Sequence, residues 1–347
     1  MQKPKPLWVV ALAICVAIIV AISDPKVDAA PSVFNVPTTA DLDRTINADL
    51  ATTATIFQLP ANTTYTIDQT IVLKAGDQLQ GAVGPTPTKV GPATDPNPTS
   101  QIVGNGVLAK LIDLRGANTQ VRWVDLSKAN FTGSGGTGTA IGAGAGGDST
   151  LIQFNRIHDN EAAGITTARG HILDNEIDHN STDPASWGYI AAGVKGVYEY
   201  EAGRNYVHDN FAHGLWGDVE VKNTTIGAFD VHDNVLINNG RAGVRYESVS
   251  TTGGEFRAVG NVIQNNGGQS VRGGISIHDA ADSYVAYNTF GGNVDKLGVR
   301  ITDSGRSDRP DTKNATIENN TMGGDIVKLG SGVSVSADNI MIRNNIP

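Results

Sequence analysis

From residue 155 onward the pattern Asn-x-apolar-x-x-Asn returns, first at Asn155–Asn160, then from Asn175, Asn205, Asn234, Asn261, Asn288 and, degraded at its end, Asn320. The steps between copies are 20, 30, 29, 27, 27 and 32 residues. A sequence that repeats on this scale builds one structural unit many times, and each unit buries its apolar side only by stacking on its neighbours. Two further apolar columns travel with the pattern. Three residues before the first Asn stand Ile152, Ile172, Ala202, Val231, Ala258, Val285 and Ile317. Downstream comes a Gly-aliphatic step, at Gly164, Gly193, Gly214, Gly243, Gly274, Gly298 and Gly332.

Short alternating apolar runs separated by Asn and Gly turns predict half-buried strands. Several strands per repeat predict an all-β solenoid of stacked coils, with the recurrent Asn forming ladders of side-chain amides along the stack. Composition agrees. The 347 residues hold 41 Gly and 28 Asn, both poor helix formers and good turn formers.

The repeated Asn-x-Ile-x-x-Asn followed by Gly-Ile resembles the right-handed parallel β-helix superfamily of pectate lyases, polygalacturonases and alginate epimerases. The likeness is strong over residues 150–347 and weaker over 50–149. It implies a single-stranded right-handed parallel β-helix and, as the associated activity, work on polysaccharides. It names no reaction, because the chain lacks the Asp-Pro-His-Asp of the epimerases and the paired Asp motifs and Arg-x-Lys of the polygalacturonases.

Residues 1–30 read as a secretory signal peptide, or an N-terminal anchor if left uncleaved. Lys3 and Lys5 precede an apolar run from Leu7 to Ile22, and the small pair Ala29 and Ala30 follows. The lone Cys15 lies inside that run, so the exported part has no disulfide. Residues 31–149 are expected to hold a cap and the first coils. Asp41–Leu50 suits a short amphipathic helix over the open edge, and the Pro-rich 84–100 suits an excursion loop. The Gly-rich 133–147 reads as a loop or close-packed turn rather than a phosphate cradle. A net charge of -9 without a basic cluster argues against nucleic acid and anionic membranes as partners. No specific protein partner is indicated.

The register turns sequence positions into spatial neighbours. The residue after each Gly points inward and the next points outward. The first outward column is then Thr166, Lys195, Trp216, Arg245, Ser276, Arg300 and Ser334; the second is Ala168, Val197, Asp218, Glu247, His278, Thr302 and Ser336. Asp218, Glu247 and His278 form a row beside Trp216, Arg245 and Arg300. Trp216 offers a ring for sugar stacking, while Lys195, Arg245 and Arg300 suit the carboxylates of an acidic polysaccharide. Asp218 and Glu247 on adjacent coils would repel, raising one pKa as a hydrolase acid needs. Alternatively they hold Ca2+, although no cofactor is assigned. In a lyase, His278, His213 or Arg245 would take the proton. His213 is placed to overhang the row, and Tyr198 to form part of a groove wall.

The expected function is therefore a secreted protein that binds and cleaves a glycan, as lyase or hydrolase. The alternative is a non-catalytic binding, structural or adhesion solenoid whose row is a salt-bridged ladder. One feature strains the register: Tyr246 faces inward, beside Gly217 and Ile277. The pairs His158-Asp159, Asp178-His179 and His208-Asp209 read as turn residues. No third ligand at fixed spacing accompanies them, so no zinc site is indicated.

Overall fold

The computed structural model describes residues 30–347, except 85, 134–136, 144–148, 168–169, 189, 199, 222–227, 249–254, 269–272 and 308–310. The export segment therefore lies outside the described residues. Each coil of the chain visits three sheets in turn, and the strands of these sheets pair in parallel with their equivalents in adjacent coils. The first sheet runs through twelve strands, from Ser32–Asn35 to Met341–Arg343. The second has nine, from Thr63–Ile67 to Thr289–Gly291, and the third ten, from Ile71–Leu73 to Ile326–Leu329. This is the all-β parallel helix that the repeat predicts. In one coil, Leu151–Gln153, Arg156–His158 and Ala163–Thr167 supply the three strands.

The repeated Asn residues occupy two corners. Between the first and second sheets, Asn155, Asn175, Asn205, Asn234, Asn261, Asn288, Asn320 and Asn345 form one ladder, each Nδ2 donating to the Oδ1 of the next at 2.8–3.1 Å. Between the second and third sheets, Asn160, Asn180, Asn210, Asn239, Asn266 and Asn293 form another, ending on Asp325. The same Oδ1 atoms accept backbone N–H groups that the corner removes from the sheet, for instance Asn155 N–H to Asn175 Oδ1 at 3.0 Å. Buried backbone donors need such partners. The residue before each ladder Asn is left-handed at many corners, as at Asp159 (φ 52°), His179 (φ 51°) and Asp209 (φ 51°). Asn and Asp tolerate that region better than most L-residues, so these three are turn residues as expected.

The interior is a stack of aliphatic rungs such as Ile157, Ile177 and Val207, all fully buried. Aromatics replace them under residues 200–256. Tyr246 stacks on Phe256 at 4.8 Å and 17°, and Phe229 lies 4.6 Å from Tyr200. This resolves the strain over Tyr246. It is inward and buried, and Gly217 beside it makes room, since a Cβ there would come within 2.5 Å of the Phe229 ring.

Helix Leu42–Asn47 covers the first coil with Leu42 and Ile46 buried, in place of another strand. The Pro-rich excursion is more ordered than a loop: Thr88–Val90 and Ala93–Asp95 form a hairpin. The Gly-rich tract contains a regular third-sheet strand, Thr139–Ala143, so reading all of it as a loop is corrected there. The final Gly-aliphatic step, Gly332-Val333, is also corrected. It lies in a turn, and the third sheet ends instead with Ile326–Leu329, because the seventh repeat runs directly from its corner into a strand.

Candidate functional site

The third sheet carries the expected row. Asp218 pairs in register with Glu247, Glu247 with His278 and His278 with Thr302. Alongside run Thr166, Lys195, Trp216, Arg245, Ser276 and Arg300, closed by Lys328 rather than Ser334. Alternation on a strand puts both columns on the outer face, with Val194, Leu215, Val244, Ile275 and Val299 buried beneath.

Several roles change at atomic detail. Trp216 is only 4% exposed and is no open platform for a sugar ring. The Lys195 ammonium lies 3.8 Å from its ring centre and the Arg245 guanidinium 4.9 Å, so cations occupy its surroundings. His213 does not overhang the row; it is fully buried, with its ring 5.2 Å from that of Trp216. Burial, reinforced by Arg245, Arg241 and Lys195, holds the His213 pKa well below the usual imidazole range. Among the described residues, neither His213 nitrogen nor Trp216 Nε1 has a hydrogen-bond partner. Tyr198 ends the strand Ala192–Tyr198, and its side chain lies outside the described residues. Ala168 lies outside them as well.

The carboxylates are not left to repel one another. Asp218 pairs with Lys195 at 3.0 Å, and Glu247 with Arg245 at 2.6 Å, with Arg306 at 3.9 Å. Ca2+ between them would have to displace those cations. His278 is the most accessible of the three, its side chain 27% exposed. Its Nδ1 meets Thr302 Oγ1 at 2.8 Å, and its Nε2 lies 3.4 Å from the buried carboxylate of Asp279. Ser304 holds Asp279 in place through its N–H and Oγ, both at 2.6 Å. Beside His278 opens a cavity of about 250 Å³ whose walls include Arg245, Ser276, Arg300, Thr302 and Ser331. The row thus reduces to a cation-walled cavity with an imidazole at its edge. Arg306, Asp279 and Ser304 were missed in the sequence, since they lie in irregular segments that the strand register does not index.

A second group of polar side chains lies on the second sheet. Glu176, Asp178 and His208 each present a ligand atom within 4.8 Å of the others. The sequence reading found no third ligand for the His-Asp pairs because Glu176 comes from the coil before His208.

The family described as "right handed beta helix region" matches residues 112–290, just over half of the chain. No curated protein sequence matches. Among solved structures, the chain is similar to the Dettilon tailspike protein (gp208), with 14% identity over 91% of this chain and 68% of that one, and a TM-score of 0.59. It is similar to the alginate lyase of Paenibacillus sp. str. FPU-7, with 10% identity over 91% and 99% and a TM-score of 0.52. The A-module of the Azotobacter vinelandii mannuronan C-5 epimerase AlgE4 aligns at 16% identity over 88% and 89%, with a TM-score of 0.48. At these identities the likeness is one of fold.

Proposed function

Because the chain belongs to the right-handed β-helix family, a fold that presents long ladders of outward side chains, we propose that it is an exported protein that binds an acidic polysaccharide along its third sheet and cleaves it by β-elimination. One observation carries the reading: His278 stands at a cavity of about 250 Å³ walled by Arg245 and Arg300. The likeness to an alginate lyase extends to the fold alone, and this cavity is what supports the activity.

The chemistry follows from the groups present. A uronate carboxylate seated against Arg300, beside the Arg245 that Glu247 holds, has its charge neutralised, which lowers the cost of removing the proton from the adjacent ring carbon. The His278 imidazole takes that proton on Nδ1, the nitrogen beside Thr302, while the Asp279 carboxylate 3.4 Å from Nε2 orients the ring. The electron pair forms the C=C bond as the glycosidic C–O bond breaks, and the imidazolium returns its proton to the departing oxygen. Hydrolysis would call on Asp218 and Glu247, and both are already clasped by cations. That same clasping favours the second reading, a glycan-binding solenoid without turnover.

The experiment is a panel of uronic-acid and neutral polysaccharides, followed by the ultraviolet absorbance of the new double bond and, in parallel, by reducing ends. Absorbance that rises with wild type and falls by about 10²–10⁴ in His278→Gln supports elimination. Reducing ends without absorbance would make the protein a hydrolase, and binding without either product would make it a non-catalytic module.

A further inference from the structure

The group on the second sheet is assembled from three separate segments of chain. Glu176 and Asp178 flank the buried Ile177, and His208 follows the buried Val207 one coil on, so all three point away from the core. Asp178 stands level with His208 in the register, and Glu176 with Tyr206. Over them lies the hairpin of the Pro-rich excursion. It is fastened by Thr94, whose N–H donates to Arg204 O at 2.9 Å, whose backbone bridges Asn205, and whose Oγ1 donates to Asp174 Oδ1 at 3.1 Å. This seat brings the Asp95 carboxyl against Glu176.

Two carboxylates and an imidazole therefore converge within 4.8 Å of one another, with the Asp95 carboxyl against Glu176. The charges facing them are few. Arg156 reaches Asp178 at 3.2 Å and Glu176 at 3.5 Å, and His179 Nδ1 lies 2.7 Å from Asp178 Oδ2. His158 is turned to Asp125, its Nε2 2.9 Å from that carboxylate. These carboxyl groups face one arginine and the imidazoles of His179 and His208 at a half-enclosed place, where screening by water is reduced.

The His208 ring is set for ligation. Its Nδ1 lies 2.7 Å from Asp209 Oδ2, and the Tyr206 ring stacks on it at 3.9 Å. An outer carboxylate on Nδ1 orients the ring of a metal-bound histidine in this way. Nε2 donates to Glu176 Oε1 at 3.2 Å, so a bound cation would take the place of that proton between the two atoms.

We propose that Asp95, Glu176, Asp178 and His208 form a binding site for one divalent transition-series cation, of the Zn2+ or Mn2+ class, that fastens the 88–95 hairpin to the second sheet. The donor set decides the class. Ca2+ and Mg2+ are held by oxygen ligands, whereas one imidazole with carboxylates suits Zn2+ and Mn2+. The site is on a different sheet from the His278 cavity and does not depend on the glycan reading.

The test uses the untagged, chelator-stripped full chain, titrated calorimetrically with ZnCl2, MnCl2 and CaCl2. Expected is one saturable Zn2+ or Mn2+ per chain, a higher Tm, and slower proteolytic nicking of the 88–95 hairpin. Glu176→Gln and His208→Gln should each weaken binding by roughly 100-fold or more. Should either fail to fold, Asp95→Asn on the hairpin provides the same test, with weaker binding and loss of the metal-dependent protection from nicking. The proposal is overturned by the absence of saturable binding to wild type, by affinity unchanged in these variants, or by tighter binding of CaCl2 than of both other salts.

Discussion

The Lys195 ammonium stands 3.8 Å from the centre of the Trp216 ring. Trp216 is thereby enclosed rather than a landing surface, and Lys195, which also holds Asp218 at 3.0 Å, is an internal brace rather than a substrate clamp. Lys195→Met should therefore lower stability by about 1–3 kcal/mol, through loss of the cation–π contact and of a partly buried ion pair. It should leave glycan affinity near that of wild type. Urea unfolding and polysaccharide binding measured on the same preparation separate the two; a variant of normal stability that no longer binds glycan would return Lys195 to the substrate.

Arg300 should behave in the opposite way. It lines the cavity beside His278, so Arg300→Ala is expected to weaken binding of a uronic-acid polysaccharide by roughly tenfold or more, as for loss of a charge-assisted pair. Unfolding should shift little. The check is the salt dependence of binding, which should flatten in the variant. Equal affinity of both proteins at low salt would remove Arg300 from the carboxylate site.

The first sheet carries a pH-dependent brace. Glu201 sits between His171 Nδ1 at 2.5 Å and His232 Nε2 at 2.9 Å. The His232 hydrogen bond, opposed by burial and aided by His171, lowers the Glu201 pKa to about 2 from 4.5. The same bond raises His232 above 6.5, against the effect of burial. The Glu201 contribution is thus complete above 4.5 and lost as the pH falls toward 2. The His232 contribution is complete below 6.5 and lost as the pH rises through its raised value. Stability from this brace is greatest between those limits. Urea midpoints across the range should fall on both sides, and Glu201→Gln should flatten both limbs. Unaltered limbs in that variant would show that the pH dependence arises elsewhere.

The fold was legible because the Asn repeat is itself the structural device, and Asn155, Asn175 and their successors are read directly as ladder corners. The row was legible for the same reason: once Gly214 and Gly243 are aligned, Asp218 and Glu247 must be neighbours. Depth was not. Nothing in the alternation of a strand distinguishes an outward Trp in solvent from one enclosed by Lys195, Arg245 and His213, because enclosure depends on side chains from adjacent coils. Neither was the hairpin legible, since the excursion containing Asp95 carries no repeat to set its register against Glu176.

The ladder itself makes a position-dependent prediction. Asn234 Oδ1 accepts the Asn205 N–H at 2.9 Å and Nδ2 at 3.0 Å, while its own Nδ2 donates to Ala202 O at 2.8 Å and to Asn261 Oδ1 at 3.0 Å. It is fully buried, and Asn234→Ala would strand donors and acceptors on the coils to either side. Asn345, at the last rung, is partly exposed; among the described residues its Oδ1 accepts only from Asn320 and its Nδ2 donates only to Ile317 O, so water can serve the groups it leaves. With each buried unsatisfied group costing about 1–3 kcal/mol, Asn234→Ala should cost several kcal/mol and Asn345→Ala about 1 kcal/mol or less. Chemical unfolding of the two variants reads the difference directly. Similar losses at both positions would mean that the ladder stabilises through the turn preference of Asn alone rather than through its bonds along the stack.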